Sequence, residues 1–314
     1  MEIIRENKKI DTPVVLTIGS FDGVHIGHRG MIHQLKELAE NNNYKTAVLS
    51  FVPHPKKYFD KEGNLKLLTT DKEKAELLEK TGIDYLILEN FDEKFASQEP
   101  EEFIKKLKDQ YGMKILLMGY DHHFGKDRKG NYSYIRSLAP QMDFETEIIK
   151  PVLYEGVPVS SSLIRKLIEE GKIEKADKLL GYPYFIRGIV VSGNRIGNKL
   201  GFPTANIQID SSDKLWPKQG VYIVKSPIDG QEVFGMMNIG VRPTIDGKKQ
   251  IMEVHFFDFD KNLYGKDLQI EFLKRLRPEK KFNSLEALTN QLKEDKKKSL
   301  EWIKTQKEKI SSNS

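Results

Sequence analysis

The chain has 314 residues, with 51 lysines and arginines against 46 aspartates and glutamates, a net charge of +5 and no cysteine. This length predicts two domains. The lack of cysteine excludes disulfides, thiolate metal sites and a cysteine nucleophile, as expected for a cytoplasmic protein. Basic residues are spread among the acidic ones and form no stripe, so we predict no nucleic-acid partner. No apolar run approaches about 20 residues, so we predict neither a membrane partner nor a signal peptide.

In the first half, short apolar runs alternate with segments of helical periodicity. Thr70 and Glu73 form a capping box at the start of one such helix, and Pro100 is placed as the first residue of another. The predicted strands are Val14–Ile18, Thr46–Phe51, Ile83–Leu88 and Lys114–Met118. Strand and helix in alternation predict a Rossmann-like parallel sheet with helices on both faces, which binds ligands at the carboxyl ends of its strands.

A glycine-rich string follows the first of these strands, from Gly19 to Gly30. A strand that leads through glycines into a helix directs backbone N–H groups and the helix dipole at one point, which suits a phosphate. If the helix begins near Val24, His25 and His28 lie on one face of its first turn. The plainer interpretation of such a histidine pair is a helix cap or a surface site.

Two other segments lie at the predicted carboxyl edge of the sheet. Pro53-His54-Pro55 follows the second strand, and by itself favours a rigid turn. Gly119–Gly125 follows the fourth strand and contains adjacent His122 and His123, which could indicate a metal site. Neighbouring side chains diverge, however, so the two rings do not easily share one ion.

A serine run, Ser160-Ser161-Ser162, begins a further helix and places Arg165 about one turn later. Serine is a good N-cap, and capping alone would explain the run. Hydroxyls, helix-start amides and an arginine together also suit a leaving pyrophosphate.

The second half changes to alternating apolar residues after Tyr182, so we predict domains at 1–182 and 183–314. Its predicted strands are Phe185–Val191, Val221–Lys225, Val233–Ile239, Met252–Phe259 and Leu268–Phe272. They indicate a small antiparallel β-barrel, closed by a terminal helix over Ser284–Ile310. The lysine run at 296–298 in that helix is interpreted as a solvated face.

A glycine-spaced loop, Gly193–Asn206, ends in Pro203-Thr204-Ala205-Asn206. As a glycine loop alone it favours a hairpin turn. In extended chain Thr204 and Asn206 point to one side, and their oxygens suit Mg²⁺ when substrate phosphates supply the other ligands. Glu253 lies inside an apolar strand, where a carboxylate is costly unless it has a partner or a function.

These strings resemble the motifs of the bacterial bifunctional riboflavin kinase/FAD synthetases. The matching motifs are Gly-x-Phe-Asp-Gly-Val-His-x-Gly-His, Pro-His-Pro, Ser-Ser-x-x-Ile-Arg, Leu-Gly-Phe-Pro-Thr-Ala-Asn and Glu-x-His, in that order. The resemblance implies a transferase whose second half phosphorylates riboflavin to FMN with ATP and whose first half adenylylates FMN to FAD, releasing pyrophosphate.

The resemblance also implies roles for individual residues. Glu253 would be the general base of the kinase, and His25, His28 and Arg165 would serve adenylyl transfer. The nucleotide-binding residues would be Gly19, Phe21, Asp22, Gly23, Gly27, Ser161, Ser162, Gly193, Gly197, Lys199, Gly201 and Pro203. The flavin-binding residues would be His54, Asp121, Phe124 and Arg277, although Arg277 could equally be a surface arginine. Thr204 and Asn206 would hold Mg²⁺.

The sequence departs from the family pattern in the first half. His123 and Leu163 stand where the family has arginine, Ser162 where it has threonine, and Asn131 where Gly-Asp is common. A single-activity enzyme with one degenerate half is therefore an alternative, as are a nucleotidyltransferase for another acceptor and a non-catalytic flavin- or RNA-binding protein. Small molecules are the expected partners of a monomer or weak homo-oligomer.

Overall fold

The computed structural model describes residues 1–5, 8–119, 123–125, 129–193, 197, 200–209, 211–244 and 247–312, without the side chains at 242–249 and 310. Of the predicted site residues, Asp121 and Lys199 lie outside this part. The chain forms two compact units, Met1–Leu163 with Asp213–Leu215, and Ile164–Ser212 with Trp216–Ser314. The domain boundary after Tyr182 stays a prediction.

The first unit is built on a parallel sheet, as predicted. Its described strands are ordered β1-β4-β3-β2-β5-β6 and every neighbouring pair is parallel. The elements are β1 (Glu2–Ile4), β2 (Val14–Ile18), α1 (Ile26–Asn42), β3 (Lys45–Val52), α2 (Pro55–Phe59), α3 (Asp71–Glu79), β4 (Tyr85–Asn90), α4 (Glu93–Ala96), α5 (Pro100–Tyr111), β5 (Met113–Gly119), α6 (Tyr132–Leu138), β6 (Glu145–Ile149), β7 (Leu153–Tyr154) and β8 (Val157–Pro158).

Strand β2 is the central strand of this sheet, and all five of its residues are buried. It is paired with β3 on one side and β5 on the other. The chain order reverses there, because β2 leads through α1 to β3 while β5 comes much later. The crevice beyond the end of such a strand is where open parallel sheets bind ligands.

Helix ends in this unit follow the sequence signals. Thr70 and Glu73 form the predicted capping box of α3, Pro100 is the first residue of α5, and Gly112 ends that helix in the left-handed conformation. Asn131 accepts a hydrogen bond from the Tyr134 N–H at 3.0 Å and so caps α6. Aspartate, which the resemblance implies near this position, would cap a helix in the same way.

The second unit is a closed antiparallel barrel, again as predicted, with strand order β10-β13-β12-β11-β14-β9. Helix α7 (Ser161–Glu169) begins in the first unit, and α8 (Ile173–Leu180) follows it. The barrel strands are β9 (Phe185–Val191), β10 (Ala205–Gln208), β11 (Gly220–Ile228), β12 (Gln231–Thr244), β13 (Gly247–Phe256) and β14 (Asp267–Arg277), and α9 (Leu285–Ser312) ends the described chain.

Helix α9 packs one face on the barrel. Ile303 joins a buried cluster with Phe202 and Ile223. Lys297 and Lys298 are exposed, as the solvated-face interpretation predicted. Lys296 is half-buried, with its Nζ 5.6 Å from the centroid of the Phe257 ring, and Asp295 is only 1% exposed. Within the described ranges, no helix combines the length and apolar character needed to cross a membrane.

Candidate active sites

The histidine motif follows the end of β2, the strand at which the chain order of the sheet reverses. Helix α1 begins at Ile26, later than predicted, because His25 is its N-cap and accepts a hydrogen bond from the His28 N–H at 3.4 Å. The two imidazole rings are stacked, with centroids 3.6 Å apart. The prediction that the pair lies together at a helix start is confirmed, and so is the capping interpretation for His25.

This cap determines what His25 presents to a ligand. Its Nδ1 accepts the N–H of His28, so the neutral ring carries its proton on Nε2 and can donate a hydrogen bond there. A Cβ on Gly27 would lie 3.1 Å from the His25 ring. The glycine at 27 therefore accommodates this ring.

Several side chains hold the loop before α1. The Asp22 carboxylate is buried and accepts the N–H groups of Leu68 and Thr69 at 3.1 and 3.0 Å. The Gly23 N–H donates to the Thr69 hydroxyl, and the Ser161 hydroxyl donates to the Asp22 carbonyl at 2.9 Å. The structure thus brings the serine run to the histidine loop, as their common assignment to one site predicted.

The Phe21 ring packs against the His28 ring of the histidine pair. Its side chain is fully buried, and its ring centroid lies 4.9 Å from that of His28. A Cβ on Gly19 would lie 2.9 Å from the Phe21 ring, and the Gly19 N–H donates to the Leu49 carbonyl. Phe21 and Gly19 therefore affect the site by fixing the conformation of the loop that leads to His25.

The serine run also caps α7. The Ser160 hydroxyl accepts the N–H of Leu163 at 3.3 Å, which confirms the capping interpretation. Ser162 is exposed in the first turn, and Leu163 is half-buried. Arg165, one turn further along α7, is 8% exposed.

His54 follows β3 and Phe124 follows β5, the two strands that flank β2 in the sheet of the first unit. His54 is buried and accepts the Lys56 N–H at 3.1 Å, so it is the N-cap of the short helix α2. This cap fits the interpretation of Pro53-His54-Pro55 as a rigid turn. Phe124 is half-buried, with its ring 5.4 Å from that of Phe103, while His123 is exposed.

An exposed aromatic cluster at this edge was missed by the sequence analysis. Tyr58, Phe59 and Phe91 have ring centroids 5.1 to 5.9 Å apart, and Phe59 is 65% exposed. Phe91 directly follows β4. The consecutive aromatic residues Tyr58 and Phe59, shortly after Pro-His-Pro, were the available sequence signal for this cluster. No signal in the sequence indicated that Phe91 belongs to it.

The second unit contains a cavity of about 340 Å³ on the barrel. It brings together four of the predicted residues, Gly197, Thr204, Glu253 and Arg277. The other residues that line it are Leu200, Phe202, Val221, Met236, Met237, Asn238, His255, Glu279, Lys280, Phe282, Leu288 and Leu292. The predicted Gly201 and Pro203 flank Phe202 and are exposed.

Three polar residues form a row across neighbouring strands at this cavity. Glu253 on β13 is directly opposite Asn206 on β10 and Asn238 on β12. Residues directly opposite each other share one face of a sheet, and Glu253 and Asn238 line the cavity. A Cβ on Gly193 would lie 2.0 Å from the Asn206 amide nitrogen, so only glycine fits beside Asn206.

Arg277 has its charge paired within the barrel. Its guanidinium donates to the Asp295 carboxylate over distances of 2.7 to 3.1 Å, and Asp295 is almost fully buried on α9. The surface-arginine alternative is therefore wrong, because Arg277 joins β14 to α9 in the cavity wall.

Comparisons with known proteins agree with this division. The FAD synthetase model matches residues 7–163 and the riboflavin kinase model matches residues 180–303. The bifunctional riboflavin kinase/FMN adenylyltransferase of Haemophilus influenzae is 38% identical, covering 89% of this chain and 91% of that protein. The Bacillus subtilis protein of the same description is 36% identical, covering 92% of each chain.

The chain belongs to the bifunctional riboflavin kinase/FMN adenylyltransferase family. Because both domains are present, the bifunctional transferase is confirmed over the single-activity alternative. ATP and flavins are accordingly the small-molecule ligands of this family member.

A solved structure shares the whole fold of this riboflavin kinase/FMN adenylyltransferase family member. It is 31% identical with a TM-score of 0.89, covers 96% of this chain and 100% of its own, and is described as a macrolide-efflux protein from Streptococcus pneumoniae. That description differs from the family models and curated relatives, which agree with one another.

Proposed function

We propose that the barrel cavity catalyses transfer of the γ-phosphoryl group of ATP to the 5′-hydroxyl of riboflavin, and that the histidine loop catalyses transfer of AMP from a second ATP to FMN. The observation that carries the proposal is the row of Asn206, Glu253 and Asn238 at the cavity, far along the chain from the stacked His25 and His28. These two groups of side chains support the assignment of one reaction to each site.

In the kinase half, Glu253 is the general base. Its half-buried carboxylate faces the cavity between two carboxamides, where it can accept the proton of the riboflavin hydroxyl as the oxygen attacks phosphorus. The apolar wall formed by Leu200, Val221 and Leu292 suits a flavin ring. Arg277, neutralised by Asp295, contributes to this wall mainly through its position.

Mg²⁺ fits the oxygens beside this base. Thr204 lines the cavity, and Asn206 is directly opposite Glu253. Among the described residues, no group of three or more histidine, cysteine, aspartate or glutamate side chains is placed to hold a metal. Thr204 and Asn206 would hold Mg²⁺ together with ATP phosphates, and the ion would neutralise the charge that develops on them.

In the adenylyltransferase half, the FMN phosphate is itself the nucleophile. One of its oxygens bonds to the α-phosphorus of ATP as the bond to pyrophosphate breaks, so the protein supplies position and positive potential. His25 donates from Nε2, His28 is stacked on it, and the N-terminus of α1 directs its dipole to the same point. Ser162 and Arg165 on α7 are assigned to the leaving pyrophosphate.

The exposed aromatic cluster is suited to the flavin ring of FMN. Tyr58 and Phe59 offer flat apolar surface at the carboxyl edge of the sheet, next to the buried His54. Asp121 and Phe124 remain predicted flavin contacts. We assign the protein to the cytoplasm, as a monomer or weak homo-oligomer, and size-exclusion chromatography with light scattering tests the oligomeric state.

The experiment that tests this function is a timed reaction of the purified protein with riboflavin, ATP and Mg²⁺, with the flavins separated by chromatography. FMN followed by FAD is expected. The Glu253→Gln variant should form FMN about 10²- to 10⁴-fold more slowly and still convert supplied FMN to FAD. Glu232→Gln, on the exposed surface of β12, is the matched control. Loss of both steps in Glu253→Gln, or formation of neither flavin by the native protein, would overturn the proposal.

A further inference from the structure

His255 lies next to the proposed magnesium site but is not part of it. It is 7% exposed and lies on β13 two residues after Glu253, so both side chains are on the same face of the strand, and both line the cavity. Its Nδ1 is 2.8 Å from the Pro203 carbonyl oxygen. A carbonyl only accepts, so Nδ1 carries the proton and donates it.

The ring of His255 is fixed in this one orientation. Phe202 and Phe257 pack edge-to-face on it, with centroids at 5.2 and 5.8 Å. Burial, with the nearby Lys296 charge, lowers the pKa of His255. Its buried Nε2 makes no hydrogen bond within the part of the chain that the structure describes. Among the described residues, the hydrogen bond to the Pro203 carbonyl is therefore the polar contact that this side chain makes.

The carbonyl that His255 holds belongs to the peptide plane shared with Thr204. Strand β10 begins only at Ala205, so this peptide precedes the pairing that fixes Asn206. Because a peptide unit is planar and includes the Thr204 Cα, holding its oxygen restrains the orientation of this plane and so the position from which the Thr204 side chain extends.

We propose that His255 is a positioning residue for riboflavin phosphorylation, which holds Thr204 so that its hydroxyl meets Mg²⁺ together with Asn206. This inference rests on the proposed magnesium role of Thr204 and Asn206. A displacement of about 1 Å in a group that orients reactants can lower a rate by about 100-fold. His255 acts through Thr204, without touching the reacting atoms.

Two substitutions distinguish the effect of the hydrogen bond to Pro203 from the effect of side-chain volume. In His255→Asn the amide nitrogen lies near the position of Nδ1 and can still donate to Pro203, whereas in His255→Gln it lies near Nε2 and cannot. We expect His255→Gln to lower kcat for FMN formation by about 10- to 100-fold and to raise the Mg²⁺ concentration required for half-maximal rate. His255→Asn should restore the rate to within about threefold of the native protein and keep its Mg²⁺ dependence. FMN adenylylation by the same samples is the internal control and should not change.

The results that overturn the inference are distinct from those that overturn the magnesium site. If Thr204→Val changes the Mg²⁺ dependence and His255→Gln does not, the positioning role is wrong and the metal site stands. If Thr204→Val leaves the Mg²⁺ dependence unchanged, the metal site itself fails. Should His255→Gln not fold, as shown by loss of its thermal transition, the Mg²⁺ titration of His255→Asn decides, and any shift from the native curve refutes the role.

Discussion

The two units prepare a site for the same nucleotide in different ways. In the first unit the groups at the site are held by the loop from Gly19 to His25, at the end of one buried strand and the start of one helix. In the second unit they are side chains of adjacent barrel strands, such as Asn206 and Glu253, set opposite each other by strand pairing. The first site therefore depends on how a loop is anchored, and the second on which side chains share a face.

The largest effect that tests this comparison is expected at His28. Replacing His28 with alanine removes the ring stacked on His25 and should slow FMN adenylylation by about 10²- to 10³-fold, while riboflavin phosphorylation is kept. Chromatography of FAD formed from supplied FMN measures it. His33→Ala, on the exposed face of the same helix, is the control. Equal losses in the two variants, or a loss of phosphorylation, would contradict separate sites.

The next effect concerns how the barrel wall is held. Removing the buried Asp295 carboxylate leaves Arg277 unpaired, so Asp295→Ala should lower the free energy of unfolding of the second unit by about 3 to 5 kcal/mol. Denaturant titration measures it, and Glu294→Ala on the exposed side of α9 should have little effect.

A double variant, Arg277→Met with Asp295→Leu, then separates structure from binding. It should regain most of the stability, since apolar residues can replace a buried ion pair. If Arg277 acts only in the wall, the KM for riboflavin will stay near the native value. A large rise in KM in this folded variant would instead make Arg277 a flavin ligand, as the sequence analysis predicted.

A further effect should appear in the pH dependence of stability. Burial, with the nearby charges of Glu174 and Glu271, raises the pKa of Asp177 to about 8. Its carboxyl accepts the Tyr184 N–H at 2.8 Å, whereas the buried Asp22 of the first unit accepts two N–H groups and a hydroxyl.

The folded second unit thus keeps a proton on Asp177 that the unfolded chain releases. Stability should fall as pH rises from about 4 to 8, at a limiting slope of about 1.4 kcal/mol per pH unit. Asp177→Asn keeps the acceptor for Tyr184 and should flatten this part of the curve. Thermal midpoints of both proteins from pH 5 to 8 measure it, and parallel curves would refute the assignment.

The smallest expected effect is at Asn131. Asn131→Ala removes the cap of α6 and should cost about 1 kcal/mol, seen as faster thermal inactivation of FMN adenylylation. Asn131→Asp, which restores a capping group of the family type, should be neutral to within about 0.5 kcal/mol. If the aspartate variant instead gains activity strongly, this departure from the family pattern concerns the substrate and not the cap.

Local signals in the sequence predicted much of the fold. The bounds of β9 and the first residue of α5 agree with the structure, because alternation and a helix-starting proline are properties of neighbouring residues. Strand β10 was missed, since four residues are too few to show a period. The start of α1 was placed too early, because nothing local indicated that His25 would itself be the cap.

The candidate sites were predictable to the extent that motifs mark them. The glycine loop and Glu253 were found by their residue types, and strand pairing then brought Asn206 and Glu253 together. The pairing of Arg277 with Asp295 has no local signal, and Asp295 stood within a stretch that otherwise indicates a solvated face. The burial of Asp295 depends on contacts between residues that are far apart in the sequence, and periodicity alone cannot predict such contacts.

The brevity of β10 has a consequence for motion. With four residues it is the shortest described strand of the barrel, yet it joins β9 to β13 and so closes the ring of strands where Asn206 lies. A short closing strand is where amide hydrogen exchange is expected to be fastest, because few bonds must open together. Substrates that engage Asn206 would slow that exchange by binding only the closed ring. Local opening of the barrel at β10 and binding of substrate at its site are thus coupled equilibria.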